Sequence, residues 1–272
     1  MSSTATISFA GQSVSITSKT MQLLGDCIIM FGHHVSETPQ FTDAAITIDF
    51  ANGIYTVCSE VRDGDAPVKT FGELGEAMFE LRDRVQYHLA KDQSEYLIVH
   101  AGAATYKGST YVYPAASGSG KTTLSAWFIG QGATLLSDEL VALSPNGMVS
   151  GYAQTLNLKR GGEAPFYDAL GKSEDELNII KQPNGHVFVG WETKAALNSW
   201  HKLDRFLLPR YDRDCEEAVL KTVSPAKVAA VLLENTINLR NFERMGLPVI
   251  KRLATTFEGK RAIYSVLFDL GL

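Results

Sequence analysis

The chain lacks the features that mark several large classes of protein. It has only three cysteines in 272 residues, Cys27, Cys58 and Cys215, and because no two of them form a C-x-x-C pair they argue against a disulfide framework or a structural zinc site. No apolar run approaches the eighteen residues of a membrane-spanning helix. The first residues also lack the basic and apolar segments of a secretory signal. We therefore expect a cytoplasmic protein without a membrane partner.

Positive charge is also scarce. The chain has 25 Lys and Arg against 30 Asp and Glu, a net charge of −5, and no long basic block, so nothing predicts a nucleic-acid partner. We find no internal repeat and no low-complexity tract. The hydrophobic fraction of 45% is ordinary for a globular protein and is enough for one large domain or a domain with a smaller companion.

The first part of the chain predicts a small α+β domain. Residues 4–60 are strand-rich, and Asn52-Gly53 between two β-rich runs predicts a hairpin. Residues 70–93 predict a helix with a capping box of Thr70 and Glu73 and one apolar face. We place a domain boundary near residue 94, with an N-terminal α+β domain of unassigned role over residues 1–94 and a second domain over residues 95–272.

The second part alternates strands and helices, which predicts a mixed α/β fold. The apolar run at residues 96–101 predicts a buried strand. Ser173 with Glu176 predicts a short helix as far as Ile180, residues 203–208 predict a strand stopped by Pro209, and Ser224-Pro225 predicts a helix start.

A phosphate-binding loop is predicted between a strand and a helix at residues 115–123, with the sequence Ala-Ala-Ser-Gly-Ser-Gly-Lys-Thr-Thr. In such a loop backbone N–H groups cradle phosphates, the Lys reaches the β- and γ-phosphates and the first Thr hydroxyl binds Mg²⁺. The formal pattern begins with Gly, whereas this chain has Ala115. The predicted nucleotide-binding residues are Ser117, Gly118, Ser119, Gly120, Lys121, Thr122 and Thr123.

Two acids follow the next predicted strand, and a histidine precedes the loop. Asp138 and Glu139 lie 17 and 18 residues after Lys121, and His100 lies 21 before it. Phosphoryl transfer needs cations on the phosphates and a base on the attacking hydroxyl. We predict that Asp138 and Thr122 hold Mg²⁺ and that Glu139 is the base.

These residues resemble a known family. The stretch from His100 to Leu140 resembles the catalytic core of HPr kinase/phosphorylase and its shorter relatives, which share a P-loop fold with ATP-dependent phosphoenolpyruvate carboxykinase. The resemblance implies an ATP- and Mg²⁺-dependent serine kinase in which the second acid takes the proton and His100 lies beside the acids. Glu139 stands where the family has Asp. Asn157 stands where the larger kinases carry a Glu as a second metal ligand.

Several points stay open at this level. Arg210 could clamp the γ-phosphate or be a surface charge. The acceptor could be Ser of a protein or peptide, or a small-molecule hydroxyl. A carboxykinase-type lyase and a nucleotide-binding regulatory module without catalysis are the other candidates, and assembly into a homo-oligomer is left open.

Overall fold

The computed structural model describes residues 2–36, 42–60, 67–152, 154–181, 185–190, 199–265 and 270–272, and these residues form a mixed α/β protein with three sheets. The strands are β1 (Ser3–Phe9), β2 (Gln12–Ser18), β3 (Val35–Ser36), β4 (Ala44–Ala51), β5 (Ile54–Glu60), β6 (Lys69–Phe71), β7 (Leu97–Tyr106), β8 (Ser109–Pro114), β9 (Thr134–Ser137), β10 (Leu140–Leu143), β11 (Met148–Tyr152), β12 (Leu156–Leu158), β13 (Asn178–Lys181), β14 (Val187–Gly190), β15 (His201–Lys202), β16 (Arg205–Tyr211), β17 (Val219–Thr222) and β18 (Glu258–Tyr264). The α-helices are α1 (Met21–Ile28), α2 (Leu74–Lys91), α3 (Lys121–Gly130), α4 (Glu163–Leu170), α5 (Pro225–Asn235) and α6 (Leu247–Thr256). Among them, no helix is both long and apolar enough to cross a membrane.

The N-terminal sheet has the order β3-β1-β2-β4-β5-β6, and α1 and α2 pack against it. The predicted strand-rich segment 4–60 is confirmed where it is described, residues 37–41 lying outside the described ranges, but α1 within it was not predicted. The hairpin at Asn52-Gly53 is confirmed: it joins β4 to β5, and both residues have left-handed backbones, with φ of 52° and 78°.

The predicted helix over residues 70–93 is α2, but its predicted capping box is wrong. Thr70 lies in strand β6, paired with Thr56, and the helix begins only at Leu74, with Glu73 as an N-cap that makes no side-chain capping bond. Because Thr70 pairs with β5 at the edge of the sheet, it cannot cap the helix. The predicted apolar face is buried as expected, at Met78, Leu81, Val85 and Leu89.

The central sheet has nine strands in the order β15-β11-β10-β7-β8-β16-β18-β17, with β9 also paired to β7. Strand β7, the predicted buried strand, is apolar over most of its length because it lies inside this sheet. The turn from β8 into α3 leaves the middle of the sheet, where open α/β sheets place their ligands. The phosphate-loop sequence therefore occupies a position that the topology makes suitable for binding.

Pro209 does not stop a strand, contrary to the sequence prediction, because β16 runs through it to Tyr211. The backbone N–H of Tyr211 points toward the loop at residues 115–123, where it bonds to the carbonyl of Ser119, and Pro209 shares that edge of the strand. Pairing of β16 with β8 ends at Phe206. The missing N–H of Pro209 therefore removes no bond from the ladder.

A third sheet, in the order β12-β14-β13, carries the segment that follows β11. The short helix predicted from Ser173 to Ile180 is wrong beyond its first turn. Ser173 and Glu176 do form the predicted capping box, but the turn they cap is a single 3-10 turn, and residues 178–181 become strand β13 instead. Pairing of β13 with β14 overrides the local helical signal. The helix start at Ser224-Pro225 is confirmed, with the Ser224 side chain accepting from the amide of Lys227.

The N-terminal sheet shares a hydrophobic core with the central one. A single cluster of buried residues joins strands β1, β2, β4 and helix α2 to Ile98, Leu140 and Tyr152. Asn238, also buried, accepts a bond from the amide of Ile98 and donates to the carbonyls of Gln93 and Tyr96. The predicted boundary near residue 94 therefore lies at a junction that buried contacts cross. The division into two domains stays a prediction.

Candidate active site

The loop at residues 115–123 has the backbone that its glycines suggest. Within it, left-handed φ values occur at Gly118 and Gly120, 83° and 99°. Ala115, which replaces the first Gly of the formal pattern, is not among the residues with a positive φ. A side chain at position 115 therefore causes no backbone strain. This explains in physical terms why the departure is tolerated.

Two C-terminal strands hold the loop in place. The hydroxyl of Tyr264 in β18 donates to the carbonyl of Gly120 at 2.8 Å, and the amide of Tyr211 in β16 donates to the carbonyl of Ser119 at 3.0 Å. A Cβ added at Gly120 would lie 2.8 Å from the Tyr264 hydroxyl and 3.2 Å from the Cβ of Tyr211. Position 120 thus needs glycine for space as well as for its φ.

Lys121 is a buried cation that pairs with no acid in the described part of the chain. It is only 7% exposed, its Nζ donates to the carbonyl of Ala115 at 2.7 Å, and none of the ion pairs among the described ranges includes it. Burial lowers the pKa of Lys121, partly offset by Asp138 and Glu139. A buried ammonium bound only to a carbonyl is a favourable partner for an anionic ligand.

Asp138 is the best-anchored acid of the site. Its Oδ2 accepts from the Thr122 hydroxyl at 2.8 Å and its Oδ1 from the Ser125 hydroxyl at 2.6 Å. The buried Tyr113 hydroxyl lies 2.8 Å from Ser125 Oγ and completes the network. Burial raises the pKa of Asp138 to about 6, against the opposing effect of the hydroxyl bonds and Lys121. Thr122 and Asp138 thus meet as predicted from the sequence.

Glu139 lies just before strand β10, which pairs with strand β7, the strand that carries His100. Glu139 belongs to the turn from β9 into β10, which Ser137 fixes by accepting from the amides of Glu139 and Leu140 at 3.1 and 3.2 Å. His100 in β7 is the register partner of Leu140. Burial, with a smaller contribution from Lys121, lowers the pKa of His100, while Glu139 acts in the opposite direction. The imidazole is therefore neutral at neutral pH.

A cleft of about 490 Å³ opens beside the loop and brings the predicted residues together. Its lining includes residues that the sequence analysis singled out on β7, the loop, α3 and the turn after β9, among them His100, Ser117, Lys121, Thr122, Asp138 and Glu139. Gly118, Gly120, Thr123 and Asn157 line it as well. These residues are close in space although up to 57 positions separate them in the chain.

Three cations of the cleft were not predicted as site residues: Arg82 from α2, Lys159 after β12 and Arg213 after β16. The Lys159 ammonium bonds to the hydroxyl of Ser117 in the loop. The only sequence signal for this part of the site was the basic, glycine-rich segment at residues 159–162. Arg82 follows the ordinary pattern of a helix surface, and nothing in the sequence separates it from the neighbouring charges.

Two predicted residues are not brought to the cleft. Arg210 is 61% exposed, lies 3.8 Å from the carboxylate of Asp212, and lines a separate groove on the other side of the loop together with Ser119. The Ser119 hydroxyl is bonded to the carbonyl of Ala116. On β16, Tyr211 lines the cleft and Arg210 does not.

The donor set suits a magnesium ion held mainly by phosphate. No group of three or more His, Cys, Asp or Glu that could hold a metal occurs in the described part of the chain. Mg²⁺ usually takes one or two protein ligands and completes its shell with water and substrate phosphates, and Thr122 with Asp138 matches that pattern. The amide oxygen of Asn157 lies 3.0 Å from Nδ1 of His186. It is therefore held by protein rather than aimed at a cation.

No protein-family model matches the chain, and a search of curated proteins finds no match.

Proposed function

We propose that the chain is an ATP-dependent kinase of the HPr kinase-like P-loop type. It transfers the γ-phosphoryl group to a hydroxyl, with Ser of a protein or peptide as the leading acceptor. One observation carries the proposal. Lys121, which is buried and forms no ion pair with any described residue, lines the same cleft as Glu139 and the bonded pair Thr122 and Asp138. This is the set that phosphoryl transfer requires, namely cations, metal ligands and a base at one place.

Each residue has a role that follows from its surroundings. The loop amides and the N-terminus of α3 bind phosphate oxygens, and Lys121 exchanges its bond to the Ala115 carbonyl for one to phosphate. Thr122 and Asp138 would hold Mg²⁺, which when bound neutralises phosphate charge. Glu139 accepts the proton of the attacking hydroxyl. Neutral His100 adds no charge beside it.

Replacement of Lys121 by Ala is expected to weaken binding of the magnesium complex of AMP-PNP by about 10- to 100-fold, because a charge-assisted bond to phosphate is lost from a buried position. Calorimetric titration with Mg²⁺ and with EDTA measures this. Lys172→Ala removes an equivalent charge from an exposed position outside the cleft and should leave the affinity unchanged. Equal affinity of folded wild type and Lys121→Ala would remove the loop from nucleotide binding.

The acceptor is tested by incubating the protein with γ-labelled ATP and a cell lysate. Label on a protein or peptide supports the leading acceptor, and label on a low-molecular-weight compound supports a small-molecule hydroxyl kinase. Conversion of oxaloacetate in the presence of ATP would instead support a carboxykinase. Nucleotide binding with no transfer to any acceptor would favour a regulatory module.

We also propose that the protein acts in the cytoplasm. Cys27, Cys58 and Cys215 are all free thiols in the structure, which agrees with a reducing compartment. Burial raises the pKa of Cys27, so this thiol is unreactive at neutral pH.

A further inference from the structure

Arg82 is a cation of the cleft to which the proposed function gives no role. It projects from α2, in the N-terminal part of the chain, into the cleft that holds the loop and the two acids. Its side chain is only 13% exposed, and its guanidinium carbon lies 5.0 Å from the centre of the Phe79 ring. Helix α2, which packs against the N-terminal sheet, therefore supplies a cation to the cleft.

The guanidinium is incompletely bonded. Nε and Nη2 both donate to a single oxygen of the adjacent Asp83, at 3.3 and 3.1 Å, and that side chain is 65% exposed. Nη1 is buried and has no hydrogen-bond partner among the residues that the structure describes. A buried donor without an acceptor is costly, and a guanidinium presents five N–H groups arranged to fit an oxyanion. The unpartnered Nη1 gives Arg82 unused capacity to bind an oxyanion.

The charge of Arg82 acts on His100, which lines the same cleft. It is one of the charges that lower the pKa of His100 and of His186.

The proposed function gives a ligand to Lys121 and Lys159 but gives none to Arg82. Lys121 and Lys159 both bond to loop residues, through the Ala115 carbonyl and the Ser117 hydroxyl, and in the proposed kinase they belong to the nucleotide. The hydroxyl that is phosphorylated brings no charge. An acceptor that is neutral around its hydroxyl would leave Nη1 of Arg82 buried and without a partner among the described residues.

We propose that Arg82 binds an oxyanion of the phosphoryl acceptor, so that the acceptor carries a carboxylate or phosphate close to its reactive hydroxyl. The inference rests on the proposed function. In the transfer, the acceptor oxygen forms a bond to the γ-phosphorus while the bond from that phosphorus to the bridging oxygen breaks. ADP leaves with the electron pair, and Glu139 takes the hydroxyl proton. Arg82 orients the acceptor and takes no part in the exchange of bonds.

The first experiment measures anion binding without turnover. Malonate is titrated by calorimetry into protein saturated with Mg²⁺ and AMP-PNP, whose own binding is measured in the same samples. Wild type should bind malonate, Arg82→Gln should bind it at least tenfold more weakly, and Arg82→Lys should fall between them. Arg84→Gln is the matched control, since Arg84 lies on the same helix, bonds to Glu80 and Ser59, and does not line the cleft.

The outcomes separate the two proposals. Wild type that binds AMP-PNP but not malonate, or Arg82→Gln with wild-type malonate affinity, overturns the role of Arg82. Wild type that fails to bind AMP-PNP overturns the proposed kinase, whatever malonate does. Circular dichroism shows whether Arg82→Gln is folded. If it is not, the malonate affinity of Arg82→Lys, which keeps the charge, decides whether Arg82 binds the anion.

The second experiment identifies the source of the oxyanion. Both comparisons use transfer from γ-labelled ATP. The first compares L-serine with L-serinamide as acceptor. The second compares a Ser peptide flanked by Asp with the same peptide flanked by Asn. Preference for the charged member should be at least tenfold in one pair and should vanish in Arg82→Gln. A preference for L-serine indicates a small hydroxy acid, and one for the Asp peptide indicates an acidic segment. Absence of preference in both pairs contradicts the inference.

Discussion

Glu139→Gln is expected to slow phosphoryl transfer by about 10² to 10⁴ while ATP still binds. The amide keeps the size of the side chain and its hydrogen bonding but no longer accepts a proton. The Ser137 hydroxyl holds the turn through backbone amides, so the exchange leaves the support of the turn intact. The loss should therefore appear in the rate of transfer and not in the affinity for nucleotide.

Single-turnover transfer from γ-labelled ATP measures this effect with either acceptor class. The transfer rate of Glu139→Asp is a second test. If the site is built around the longer side chain of Glu, this variant should be slower than wild type but still active. Glu243→Gln, at an exposed position outside the cleft, is the control and should transfer at the wild-type rate. A rate close to wild type for Glu139→Gln would remove Glu139 from the mechanism.

Asp138→Asn is expected to stabilise the nucleotide-free protein at pH 7.5 by about 1 to 3 kcal/mol while raising the Mg²⁺ concentration needed for transfer. The sign follows from burial, which raises the pKa of Asp138 from 3.8 to about 6. The folded protein then binds more protons than the unfolded chain between these values. The stability linked to protonated Asp138 is fully present below pH 4 and is lost as the pH rises through 6.

Urea unfolding in EDTA at a series of pH values tests this prediction. The stability difference between Asp138→Asn and wild type should be largest above pH 7 and should shrink toward zero near pH 4, where wild-type Asp138 is itself neutral. Asp214→Asn, at an exposed position, should show no such dependence. A variant that is less stable than wild type at pH 7.5 would mean that the bonds to Thr122 and Ser125 outweigh the cost of burying the charge.

The part of the site that could be predicted from the sequence is the part that is local in the chain. A strand, a loop and a helix between residues 109 and 130 fix where Lys121 and Thr122 lie, and the next strand fixes Asp138. The hydrogen bond from Thr122 to Asp138 follows from those short connections. Spacing along one or two elements was enough, because each element places its end at the same edge of the sheet.

The rest depended on contacts between distant segments. Arg82 lines the cleft because α2, which packs against the N-terminal sheet, lies beside it. No sequence pattern within α2 distinguishes Arg82 from Arg84. Arg210 and Tyr211 lie next to each other, yet only Tyr211 lines the cleft, because their side chains leave opposite faces of β16. Strand pairing also overrode local signals at Thr70, whose capping role was lost to β6.

The support of the loop by Tyr264 has a consequence for biosynthesis. The hydroxyl that holds Gly120 belongs to a residue made 143 positions after Lys121, which at about 5 to 20 residues per second is a delay of roughly 7 to 30 s on the ribosome. During that interval the loop lacks the hydrogen bond from Tyr264 to Gly120. In the proposed kinase, nucleotide is therefore expected to contribute little to the early folding of the nascent chain, and a truncation that removes β18 is expected to bind ATP more weakly than the full chain.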